Sequence, residues 1–282
     1  MAEVVVRGVT HYYEWIKNPA GEDSKPVMVF IHGWGGSSRY WRKIATALSG
    51  DFDCLLYDLR GFGRSPAIAI APHQILPSYD LSEYAHDLAI LLDSLNITSQ
   101  PVYIHAHSMG AAIGTLFLSY YPERVEKGIL VCSGVFEYDE KAFAAFYRFG
   151  GYVVKFRPQW LKNLPFVDQV FMARFLHRPI SPPERKEFLE DFLLADENAA
   201  LGTIFTSVSK YQAEVIPQKF IELRTPTLLI SGQYDKIIPA TLAQQAVKLN
   251  PQLQLAIIPQ TGHFPMLEAQ QDYLQVVRDF IF

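Results

Sequence analysis

Six short, continuously apolar runs recur along the chain: Val27–Ile31, Phe52–Tyr57, Val102–His107, Gly128–Cys132, Thr227–Ile230 and Leu253–Ile258. A strand that is apolar at successive positions, rather than at alternate ones, is covered on both faces, as parallel strands are. Helical spacing fills most of the intervals. Ser38–Leu48 is apolar at Tyr40, Trp41, Ile44, Ala45 and Leu48, and Leu81–Leu95 repeats the pattern. Ala111–Tyr121, Ala240–Leu249 and Pro265–Phe282 read as further helices. This alternation predicts an α/β fold, a mostly parallel central sheet flanked by helices. Val4–Val6 and Tyr12–Ile16 read as a small hairpin ahead of it.

One stretch breaks the rhythm. Residues 134–217 contain no strand pattern, look helical and are rich in aromatics. They are expected to form a helical cap inserted into a core made of 1–133 and 218–282, and such lids control access of water and substrate.

Composition limits the classes of function. With 49% hydrophobic and 19% charged residues over 282 positions, the chain can bury a core without covalent staples. A formal charge of −4 argues against a general nucleic-acid binder. The two cysteines, Cys54 and Cys132, lie inside apolar runs and make no disulfide framework. The N-terminus lacks the basic start and apolar core of a signal peptide. No apolar run approaches the ~20 residues of a membrane span. The reading is a soluble, cytoplasmic protein, with peripheral membrane contact left open.

Chemistry concentrates at the ends of the apolar runs. Ala106-His107-Ser108-Met109-Gly110 joins a strand to a helix. So sharp a turn needs small residues two before and two after its apex, and it holds the apical serine near a helix N-terminus, where N–H groups can receive an oxyanion. The pattern is G-x-S-x-G with alanine for the first glycine. His32-Gly33-Trp34-Gly35-Gly36 follows another strand, and its glycines let N–H groups face a ligand. Trp34 and Met109 are the candidate oxyanion donors, with His32 and Gly33 supporting the loop. Asp235 and His263 each follow a further strand, so the order is Ser108, Asp235, His263. That is the order expected for a serine triad on an α/β sheet. His107, Phe136 and Phe264 are expected to line the substrate pocket. Asp58 is expected to fix the 60–65 loop, and Glu137 is a remote alternative acid.

The stretches HGWGG, YDLRGFGRS, AHSMGAA, YPERVEKGILVCS, LLISGQYDKIIP and TGHFPMLE resemble those of α/β-hydrolase-fold serine hydrolases across nearly the full length. The resemblance implies Ser108 as nucleophile, Asp235 as acid and His263 as base, without a cofactor. Relatives that cut carbon–halogen bonds or epoxides carry aspartate at the turn, and Ser108 argues against both activities. The expected reaction is hydrolysis of a carboxylic ester, lipid-like or otherwise apolar. The same triad could serve carbon–carbon cleavage next to a ketone, and the same fold could serve as a ligand receptor or partner-binding module.

His105 and His107 lie two apart and share a strand face, but no further ligands cluster with them in sequence, so no metal site is expected. Between Lys141 and Ile180 seven basic residues stand against Asp168 alone, interleaved with ten aromatics from Phe143 to Phe175. This composition fits a lid with an apolar lining and solvated charges, and it also fits contact with a membrane surface.

Overall fold

The computed structural model describes residues 2–18, 25–68, 76–98 and 100–282, with backbone alone at 142, 143, 145, 146 and 149. The side chains of Phe143, Phe146 and Phe149 therefore lie outside the described residues. The strands are β1 (Ala2–Val6), β2 (Val9–Ile16), β3 (Val27–Ile31), β4 (Asp53–Tyr57), β5 (Val102–His107), β6 (Val125–Val131), β7 (Thr227–Gly232) and β8 (Leu253–Ile258). They form one sheet in the order β1-β2-β4-β3-β5-β6-β7-β8. The β1–β2 hairpin is antiparallel and joins β4 antiparallel, while every other pairing is parallel.

The core helices are α1 (Arg42–Leu48), α2 (Leu81–Ser94) and α3 (Met109–Tyr120). The segment between β6 and β7, where the sequence reading places the cap, supplies α4 (Glu140–Lys155), α5 (Val167–Met172), α6 (Pro182–Leu194), α7 (Glu197–Ser207) and α8 (Lys210–Glu222). The core resumes with α9 (Ala240–Ala246), α10 (Pro265–Glu268) and α11 (Gln270–Ile281). Side-chain alternation along the strands sends Val29, Ile31, Ile104 and Ala106 toward α2, α3 and α8. Met28 and Phe30 face α1 and α11 instead, against Ile44, Leu48, Tyr273 and Val277. Each side chain fully buried in these layers is worth roughly 1.5–3 kcal/mol of transfer free energy.

Two boundaries differ from the sequence reading. The last helical segment runs past Pro217 to Glu222, because Ile216 and Phe220 are buried in the core layer beside α3. That packing outweighs the hydrogen bond a mid-helix proline forfeits. The pattern over Pro265–Phe282 splits into α10 and α11 at Ala269, whose φ of −145° and ψ of 61° break the helix.

Candidate active site

β5 ends at His107 and α3 begins at Met109, so Ser108 alone makes the turn. It does so at φ 55° and ψ −122°, a strained conformation for a residue with a side chain. Space explains the flanking residues. A Cβ on Gly110 would lie 2.4 Å from the His32 carbonyl oxygen. Ala106 is fully buried, and a Cβ on Gly114 of the following helix would meet its methyl at 3.1 Å. An alanine therefore fits the first position, where the general pattern has glycine.

Two further strand ends bring their residues to this serine. Ser108 Oγ–H donates to His263 Nε2 at 3.0 Å, and His263 Nδ1–H donates to Asp235 Oδ2 at 2.7 Å. The other Asp235 oxygen accepts the N–H groups of Ile237 and Ile238 at 2.8 and 3.0 Å. Burial pushes the Asp235 carboxyl up, but His263 and these two donors outweigh it and hold the group below the ordinary carboxylate value. Glu137 borders a cavity, and it is Asp235 that sits on His263. A hydroxyl, an imidazole and a carboxylate in one hydrogen-bonded row can generate a nucleophile at neutral pH.

The loop after β3 lies over the serine. A Cβ on Gly33 would meet Ser108 Cβ at 3.2 Å and His107 Nδ1 at 3.1 Å. The backbone N–H groups of Trp34 and Met109 make no backbone hydrogen bond among the described residues. His32 holds the loop: its Nδ1–H donates to the Gly33 carbonyl at 2.8 Å and its Nε2 accepts the Leu59 N–H at 2.9 Å. Burial lowers its pKa below the ordinary imidazole value and keeps it neutral for both roles. Asp58 is fully buried and binds the N–H groups of Ser38 and Arg64, both at 2.8 Å, so it fixes two loops at once.

His107 occupies a different place from the pocket lining expected of it. Its Nδ1 accepts from the Tyr40 hydroxyl at 3.0 Å, and that hydroxyl accepts the Gly33 N–H at 2.6 Å. Its Nε2–H donates to the His263 carbonyl at 2.8 Å. The ring thus ties the Gly33 loop to the His263 loop. Phe264 is also buried away from the cavity, packed on His107, Tyr40 and Phe188. Strand alternation is the reason: residue 107 shares its face with His105, on the α1–α11 side of the sheet. Phe136 does line the cavity, which encloses about 370 Å³ and reaches Ser108. Ala112, Ala213, Ile216, Ile237 and Ile238 supply much of its wall.

Sequence reasoning missed three groups. Glu268 is buried, and its carboxylate accepts the N–H groups of Gly262 and Phe264 in the His263 loop and of His177 and Arg178 in the cap. The Phe175 carbonyl accepts the His263 N–H at 2.6 Å. The Cys132 thiol donates to the His263 carbonyl at 3.3 Å, and burial raises its pKa well above the ordinary value. The peptide of His263 is therefore clamped from both sides. An acid near the start of a helix is too common a signal to reveal Glu268, and a backbone acceptor such as Phe175 leaves none.

His107, Cys132 and His263 form the one group of three metal-type donors found among the described residues, with ligand atoms within 4.8 Å of one another. Their donors are engaged with each other's backbone or with Asp235 and Tyr40, so the set does not fit a metal ion. His105 is separate: its Nε2 bonds to the Tyr273 hydroxyl, and burial pushes its pKa down to about 3. No helix of the described residues is long and apolar enough to cross a membrane.

Known proteins share this architecture. The chain is 26% identical over 266 residues to "Putative carbamate hydrolase RutD" of Pseudomonas savastanoi pv. phaseolicola, covering 91% of this chain and 93% of that protein. It is 25% identical over 257 residues to the pimeloyl-[acyl-carrier protein] methyl ester esterase of Vibrio parahaemolyticus, covering 90% and 94%. A thermophilic esterase from Thermogutta terrifontis superposes with a TM-score of 0.77 at 21% identity, over 100% of this chain and 98% of that one. The family model described as alpha/beta hydrolase fold matches residues 26–270. With its mostly parallel sheet, the serine at the strand–helix turn and this match over most of its length, the chain belongs to the alpha/beta hydrolase family of hydrolytic enzymes.

Proposed function

We propose that the protein is a serine hydrolase that cleaves a carboxylic ester with an apolar acyl or alcohol group. The observation that carries this reading is the hydrogen-bonded row from Ser108 through His263 to Asp235, at 3.0 and 2.7 Å. His263 Nε2 takes the Ser108 proton as Oγ attacks the ester carbonyl carbon. Asp235 orients the imidazole and stabilises its cationic form. The N–H groups of Trp34 and Met109 receive the tetrahedral oxyanion, a contribution of roughly 2.7–4 kcal/mol per donor. The alcohol leaves with the proton from His263. Water, deprotonated by the same imidazole, then releases the acid and restores Ser108. Each step uses groups of this chain and water alone.

The cavity supports an apolar substrate. Its volume of about 370 Å³ falls in the range of small-molecule sites, and its isoleucines and alanines favour hydrocarbon. The relative named as a methyl ester esterase agrees with an ester as the bond cleaved. Both cysteines are buried free thiols, which supports a cytoplasmic location.

The test is hydrolysis of a chain-length series of chromogenic esters by the native protein and by Ser108→Ala. Turnover is expected to fall by about 10⁴–10⁶-fold in the variant. Medium or long acyl chains are expected to react faster than acetyl. If both folded proteins leave every ester untouched, the ester assignment is wrong and the same residues must serve another bond, such as a carbon–carbon bond beside a ketone.

A further inference from the structure

The cap has an outer face that the proposed chemistry does not use. Tyr152, Phe156, Trp160, Leu164, Phe166 and Val170 are 46–76% exposed. Their inward neighbours hold the layer in place: Val153, Leu161, Val167 and Phe171 pack against Leu189, Phe192 and Leu193 of α6. The exposed six run from the end of α4 to α5, with Tyr152, Trp160, Phe166 and Val170 each next in sequence to one of these inward-facing residues. Single exposed apolar residues are ordinary, but a run of large ones on one face marks a contact surface. Phe166 sharpens the point. It sits at φ 65°, a conformation bulky residues rarely adopt, and its ring remains 69% exposed. Its strain is not repaid by burial within the chain.

Charge identifies the occupant. Between residues 141 and 180 the exposed charged side chains are Lys141, Arg148, Lys155, Lys162 and Arg174, all basic. The one acid, Asp168, is buried and accepts from Arg185 at 2.9 Å. The segment carries +6 within a chain of −4, so the remainder carries −10. A molecule with that asymmetry turns the basic segment toward an anionic surface. Tryptophan, tyrosine and phenylalanine beside lysine and arginine are the residues that settle at a lipid–water boundary.

We propose that this outer face of the cap docks on an anionic lipid surface, with Phe156, Trp160 and Phe166 entering the headgroup region and Lys155 and Lys162 facing lipid phosphates. The patch and the cavity share one helix. α4 starts beside Tyr138 and Asp139 at the cavity rim and ends at Lys155 beside the patch, 16 residues or about 24 Å further on.

The experiment is co-sedimentation with vesicles of equimolar phosphatidylcholine and phosphatidylglycerol, against vesicles of phosphatidylcholine alone. Native protein and Ser108→Ala are expected to bind the anionic vesicles equally, so the result stands apart from the proposed hydrolysis. Binding is expected to weaken about fivefold for each of Lys155→Gln and Lys162→Gln. The triple variant Phe156→Ser/Trp160→Ser/Phe166→Ser is expected to lose it by more than about tenfold while hydrolysing a short soluble ester at the native rate. The Trp160 emission is expected to shift blue on binding, by comparison with Trp160→Phe. Absent binding, or equal binding by the triple variant, overturns the proposal. So does a native dimer that the triple variant abolishes without any vesicle binding, because the face would then belong to a second copy of the chain.

Discussion

The sheet core and the outer layer of the cap treat the same residue types in opposite ways. A Cβ on Gly110 at the serine turn would lie 2.4 Å from a carbonyl oxygen, whereas one on Gly151 in α4 would find its nearest atom, of Phe205, at 4.0 Å. His11, His32, His105 and His107 are buried in the core, while His177 of the cap is exposed. Core rings pack on one another, Phe30 against Trp41 and Tyr273 on His105, while Phe156 and Trp160 meet solvent. In the core, close approach dictates the side chain at nearly every position. In the outer layer packing dictates little, so its aromatic and basic composition needs a cause outside the fold.

The largest expected effect separates the two regions by pH. Burial holds His11, His32, His105 and His107 below the ordinary imidazole value, His105 at about 3. Below about pH 6.5 the unfolded chain takes up protons that the folded chain refuses. Stability is therefore full above that pH and lost as acid is added, by up to about 5 kcal/mol per pH unit while all four are engaged. Urea midpoints across that range measure it. A slope no larger than one histidine provides, about 1.4 kcal/mol per pH unit, would break the contrast.

Glu268 joins the two regions, so its loss comes next. Glu268→Ala leaves the Gly262, Phe264, His177 and Arg178 N–H groups without their acceptor. The expected cost is about 3–5 kcal/mol in stability. Ester turnover is expected to fall in kcat with KM nearly unchanged, because the His263 loop shifts, and Glu268→Gln is expected to restore part of it. Native kcat in Glu268→Ala would show that the carboxylate fastens the cap without positioning His263. Smallest is Gly151→Ala in α4, which is expected to raise stability by up to about 1 kcal/mol through helix propensity alone. Thermal unfolding checks it, and a loss would mean that the outer layer is as tightly constrained as the core.

Local rules determined much of the framework. Continuous apolar runs can satisfy themselves only between two helical layers, so the parallel strands were legible from the order of residues along the chain. The small residues around Ser108 were legible too, because the turn that demands them is written in five consecutive residues, although the atom a Cβ on Gly110 would strike is the distant His32 carbonyl oxygen. Other features depend on groups far apart in sequence. His107 faces away from the cavity because register and strand alternation place it between Tyr40 and the His263 carbonyl. α8 passes through Pro217 because Ile216 and Phe220 find a buried layer beside α3. The Phe175 carbonyl that accepts the His263 N–H, and the His177 and Arg178 N–H groups that Glu268 accepts, belong to a segment that meets the His263 loop only when the cap folds over the sheet. Side-chain type and near-neighbour sterics are written in the chain itself. The partner of a hydrogen bond across 88 residues, as between Phe175 and His263, is decided by tertiary structure, because nothing in the local sequence encodes which distant carbonyl will arrive.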